Sequence, residues 1–280
     1  MIDSDNKFTL GDITLDDYHV ALRMCDIAAC EANAVSQASA QRYVKPYIGW
    51  SNAIFTRLCI HTNLLMSSAP LSRWRKSEFE CWDYSSVAPH CRAILEGEIL
   101  FHYLSQKPSS EEEWLTKLKI MHLNDCCRRV KLLENSTNSD GYDYFVGERD
   151  RLIADLESNS YFLSLDKTVQ KKSLLGKLMT IQSRDELLNE MGFDKDVFNK
   201  NFDHLSNFTH ILPYSYYSME TNGRSTGVMN ETDRGFICLA LINVAEVMKR
   251  CTDKMVDFFP DVQSKRKGLK SKFNMGPKPR

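Results

Sequence analysis

Between Pro89 and Ser105 the apolar residues Ile94, Leu95, Ile99, Leu100, Phe101 and Leu104 fall on nearly every side of a helical wheel. A helix that is apolar all round has no face to give to solvent, so it must lie inside a jacket of other elements. The segments around it are themselves helical in pattern, and no run of alternating strand residues competes with them. The chain is therefore predicted to be all-α, a multi-helix bundle around a buried central helix.

Start and stop signals divide the rest. Thr14 followed by Asp17 reads as a capping box and opens a helix from Leu15 to about Ala40. A second helix is predicted from about residues 43–47 to Ser67, ahead of Pro70. Ser85 or Ser86 should cap the central helix, with Pro89 in its first turn. Ser109 or Ser110 caps the next, whose leading Glu111, Glu112 and Glu113 and trailing Arg128, Arg129 and Lys131 complement the helix dipole. Further helices are expected over about 144–157 and 166–180. Ser183 with Glu186 opens a short one, Asp194 caps one over 197–212 that Pro213 ends, and the last runs over about 233–259 to Pro260. Residues 135–141 are turn formers without an apolar side chain, so one helical domain is expected over residues 1–263, with a sub-boundary there.

Composition narrows the class. With 42% hydrophobic and 26% charged residues the chain is globular in character, not a disordered polymer. Residues 1–6 are polar and do not read as a secretory leader. The nine cysteines contain no C-x-x-C pair, which predicts reduced core thiols and a cytoplasmic location. No apolar run reaches the ~20 residues of a bilayer-spanning helix. The net charge of −1 hides a split, because residues 264–280 hold seven basic side chains and no acidic one. Such a tail is expected to be a solvated, disordered terminus. Its functional alternative is an electrostatic arm for RNA or another acidic partner. Self-association is left open.

Two helical dyads stand out as candidate chemistry: Arg92 with Glu96 on the central helix, and Ser206 with His210 on the helix before Pro213. Residues four apart share a helix face, and both dyads lie among core-like apolar residues. They are expected to meet as one buried polar network, to which Asp203 is adjacent. The same residues can also serve only to fix helix register. His204 and His210 are six apart and face different ways, and no H-E-x-x-H pair is present, so no metal site is expected. Without G-x-x-x-x-G-K-[ST] or G-x-G-x-x-G, no nucleotide cofactor is expected either. A Ser206, His210 and Asp203 triad would lack an oxyanion hole.

The R-x-x-x-E and S-x-x-x-H motifs resemble those of a bacterial helical family called domain of unknown function 5677, over roughly residues 50–217. That family looks distantly similar to HEPN helical bundles of toxin and antiphage systems, several of which cut RNA. The resemblance implies a composite site at Arg92, Glu96, Ser206 and His210 and a role in bacterial stress or phage defence. The R-x(4–6)-H motif of HEPN ribonucleases is missing. Arg57 and His61 come nearest, with three residues between them. A ribonuclease would have to pair His210 as acid/base with Arg92 as phosphate ligand. The other alternative is a non-enzymatic interaction module.

Overall fold

A computed structural model describes residues 12–135, 137, 139–219, 223–274, 276 and 277. The leader reading rests on residues 1–6, which lie outside them. The helices in chain order are α1 (Leu15–Ser39), α2 (Pro46–Ser68), α3 (Ala88–Ser105), α4 (Glu111–Leu133), α5 (Ser139–Glu157), α6 (Ser160–Ser164), α7 (Lys167–Leu174), α8 (Arg184–Glu190), α9 (Lys195–Thr209), α10 (Pro213–Tyr217) and α11 (Glu231–Phe258). Short 3-10 turns occupy Tyr84–Ser86, Arg224–Thr226 and Pro260–Lys265. Among the described residues no strand forms, only an isolated bridge between Lys267 and Leu269. The protein is an all-α bundle, and no described helix is long and apolar enough to cross a membrane.

Local signals explain most helix starts. Thr14 and Asp17 form the full capping box, as do Ser183 and Glu186. Ser110 accepts from the Glu113 N–H, and Asp194 from the Asp196 and Val197 N–H groups. Ahead of α3 the capping carboxylate is Asp83, which accepts from Ser85 N at the start of the 3-10 turn; neither Ser85 nor Ser86 takes that role. At the other end of α9, Ile211 adopts φ 54°, so the helix closes at Thr209 and not Leu212. Pro213 then opens α10, where its fixed φ suits a first turn.

The chain divides into two compact units: Met1–Ser105 joined by Gly192–Arg280, and Gln106–Met191. The junctions between these units fall at Ser105/Gln106 and Met191/Gly192, and not at the turn-forming residues 135–141. Ser139 already begins α5, and α5 packs on α4 within one unit. Turn-forming residues mark a hairpin joint as readily as a domain joint, so composition did not distinguish them. In the first unit α3 packs against α2, α9 and α11, while α11 also lies along α1. Cys91, Ile94, Phe101 and Leu104 of α3 are buried, each Ile or Leu contributing roughly 1.5–3 kcal/mol. The second unit has its own core of Ile120, Leu123, Cys126, Leu152, Leu156 and Phe162.

The basic tail is a correction. Through residue 274 it is docked on the first unit. Ser271 is buried, Arg266 Nε donates to Glu31 Oε2 at 2.9 Å and its Nη1 to Asp253 Oδ1 at 2.5 Å. Gly268 N reaches Glu31 Oε1 at 2.9 Å, Asn274 N reaches Gln37 Oε1 at 2.9 Å, and Phe273 stacks on Trp74. Sparse apolar content predicted disorder, but carboxylates and a side-chain amide already exposed on α1 and α11 supply hydrogen-bonded anchors that composition does not register. Residues 275 and 278–280 lie outside the described residues.

Candidate functional site

The proposed composite site is only partly assembled. Arg92 Nε donates to Ser206 Oγ at 3.0 Å, and that hydroxyl donates onward to the Phe202 carbonyl at 2.8 Å. The guanidinium lies over the Phe202 ring, 4.5 Å from its centroid. Glu96 is a looser partner, 3.5 Å from Arg92 Nη1 with its side chain 52% exposed. His210 does not join them. It is the exposed C-cap of α9, and among the described residues no hydrogen bond or ion pair links its ring to the other three. Its backbone still completes the last turn of α9, with His210 N donating to the Ser206 carbonyl at 3.0 Å, but the ring is left at the exposed end of the helix. Asp203 is exposed as well.

This geometry reverses the buried-network expectation in magnitude. Glu96→Ala is expected to lower stability by at most about 1 kcal/mol, the range of an exposed pair. Arg92 and Ser206 should show a coupling of about 0.5–1.5 kcal/mol in a double-mutant cycle, the worth of one hydrogen bond. Glu96 and His210 should be additive in urea unfolding; coupling between them would contradict this arrangement.

The buried charge lies elsewhere, in residues that the sequence did not single out. Arg224 and Asp233 side chains are 5% and 2% exposed and form a two-point ion pair: Nη2 to Oδ1 at 2.8 Å and Nε to Oδ2 at 3.2 Å. Asp233 also accepts from Tyr84 N at 3.2 Å and Asn230 Nδ2 at 2.9 Å, and Arg224 Nη1 donates to Ser218 Oγ at 3.0 Å. Phe208 and Phe236 lie against the guanidinium, each 5.6 Å from it. The His204 ring packs 4.6 Å from Phe236 and 5.1 Å from Phe208. Burial, and then the Arg224 charge, push its pKa below the usual imidazole range. A pocket of about 170 Å³ opens beside the pair, lined in part by Asp83, Ser85, Tyr216, Arg224 and Asp233. An Asp in a first helical turn behind an Asn cap was readable; which arginine it would meet was not.

Two more ion pairs bury their carboxylates. Asp26 accepts from Arg73 Nε at 2.6 Å, Arg73 Nη2 at 2.9 Å and Trp74 Nε1 at 2.8 Å. Glu98 accepts from Arg250 Nε at 2.7 Å and Nη2 at 3.1 Å, tying α3 to α11. All nine cysteines are free thiols and seven are buried. Burial pushes Cys59 and Cys91 up to about 12, so these thiols stay protonated and fill space.

The surface has a different character where the tail docks. Ala34, Gln37 and Ala38 of α1 form one wall of a groove of about 520 Å³, and Ser264, Lys265, Lys267 and Lys272 form the other. The three lysines are exposed. Arg266, between two of them, turns inward to Glu31 and Asp253, so the segment is held by one cation and shows the others to solvent. Among the described residues no group of three or more His, Cys, Asp or Glu is placed to hold a metal ion. Comparison with protein-family models, curated proteins and solved structures finds no match for this chain.

Proposed function

We propose that this protein is a helical RNA-binding module, taking the phosphate backbone along the lysine groove formed by its C-terminal segment and α1. The observation that carries the reading is the docking of that segment: Arg266 is consumed as an anchor, while Lys265, Lys267 and Lys272 line one open groove. Cations held on a folded surface lose less entropy on binding than the same cations on a free tail. Residues 1–263 carry a net negative charge, so this basic segment stands out against the rest of the chain. RNA is preferred over other polyanions because the Arg92/Glu96 and Ser206/His210 motifs resemble those of a family distantly similar to HEPN bundles.

Fluorescence anisotropy with a labelled single-stranded RNA, titrated over a range of salt, tests this. Neutralising the three lysines together (Lys265→Gln, Lys267→Gln, Lys272→Gln) is expected to flatten the slope of log affinity against log salt by about 2, at about 0.7 per phosphate contact, and to weaken binding at least about tenfold. An unchanged slope would sink the proposal, and so would polyglutamate that competes as well as RNA. RNA integrity in the same incubations reads the ribonuclease alternative, which requires cleavage that His210→Ala abolishes.

A further inference from the structure

We propose that His61 of α2 and His90 of α3 form a two-imidazole site for a divalent transition metal, of the class that takes nitrogen ligands, such as Ni²⁺, Co²⁺ or Zn²⁺. The two Nδ1 atoms face each other at 3.5 Å, with ring centroids 5.7 Å apart. That separation is longer than the ~2.7–3.2 Å of a good hydrogen bond. It matches instead the edge of a tetrahedron: two nitrogens each about 2.0–2.1 Å from one metal lie about 3.4 Å apart. The two ring nitrogens are thus spaced as the two donors of a bidentate chelate.

The spacing belongs to the packing of two rigid elements. Leu58 and His61 share a face of α2, three residues apart, and His90 and Gly97 share a face of α3, seven apart. At Gly97 an added Cβ would come 2.5 Å from Leu58 Cδ2, so the glycine permits the close approach that brings the rings together. Both rings are half-buried. Burial, then Arg57 for His61 and His61 itself for His90, push both imidazoles below the usual range. Two imidazoles fill two corners of the sphere, and water completes it, as it does at open metal sites. The sequence reading looked for metal ligands at His204 and His210, on one helix; this pair spans two helices and 29 residues, a separation with no motif.

Isothermal titration of the full chain with Ni²⁺ tests the site, with Co²⁺ absorption near the visible range as a second readout. One ion per chain is expected. Even partners outside the coordination sphere are worth about 10–100-fold in affinity, so loss of a ligand in His61→Gln or His90→Gln should cost at least tenfold. His19→Gln, an exposed histidine on α1, should bind as the native chain does. Glutamine keeps a polar side chain at each position, and circular dichroism checks that the helices remain. Absence of Ni²⁺ binding to the native chain, or equal binding by the folded double variant, would overturn the proposal.

Discussion

Asp233→Ala is expected to lower the free energy of unfolding by about 3–5 kcal/mol, the cost of leaving a buried charge without its partner. The carboxylate is 2% exposed and takes four hydrogen bonds, from Arg224 Nη2 and Nε, Tyr84 N and Asn230 Nδ2. Alanine would leave the Arg224 guanidinium, 5% exposed and lying against Phe208 and Phe236, without its carboxylate. It would also free the turn Tyr84–Ser86 that leads into the central helix. The double replacement Arg224→Met with Asp233→Leu should cost much less than Asp233→Ala, because removing both charges also removes the desolvation penalty. Urea unfolding followed by circular dichroism measures both. A loss below about 1 kcal/mol for Asp233→Ala is the exposed-pair range and would show that the pair is not sequestered.

Asp26→Ala should be comparably severe, again about 3–5 kcal/mol. Arg73 is bound to this carboxylate through two nitrogens and Trp74 through its indole N–H, with side-chain exposures of 15% for Arg73 and 9% for Asp26. The consequence extends to the C-terminal segment, because Trp74 is also the ring on which Phe273 stacks, 6.0 Å between centroids and 22° between planes. Loosening Trp74 should therefore expose the lysine segment, and limited trypsin digestion should cut at Lys267, Lys270 or Lys272 sooner in Asp26→Ala than in the native chain. Cleavage at the native rate, with stability lost, would show that the anchors at Glu31, Asp253 and Gln37 hold the tail without Trp74.

The candidate site was legible only in part. Arg92, Glu96 and Ser206 meet because two of them lie one helical turn apart on α3 and the third faces them from α9, which packs on α3. The expectation treated Pro213 as the terminator of α9, when the chain turns two residues earlier at Ile211 and leaves His210 as the exposed C-cap. A proline restricts the residue before it but also starts a helix readily. One residue type supports both readings.

What the sequence by itself determined is the local and the cumulative: the all-α class, the buried position of the helix around Ile94 and Leu104, and the caps at Thr14, Ser183 and Asp194. Each depends on residues within about four positions of one another, or on a periodicity summed over a whole helix. The tertiary structure alone decided the pairings. Asp26 meets Arg73 across 47 residues, Glu98 meets Arg250 across 152 and Glu31 meets Arg266 across 235. The long helices α1, α4 and α5 each offer several charged side chains, and which charged groups are desolvated together depends on the rotation and depth at which helices pack. Those quantities are set by side-chain interlocking over the entire core, so a tail that is polar by composition becomes ordered once one arginine finds its acid.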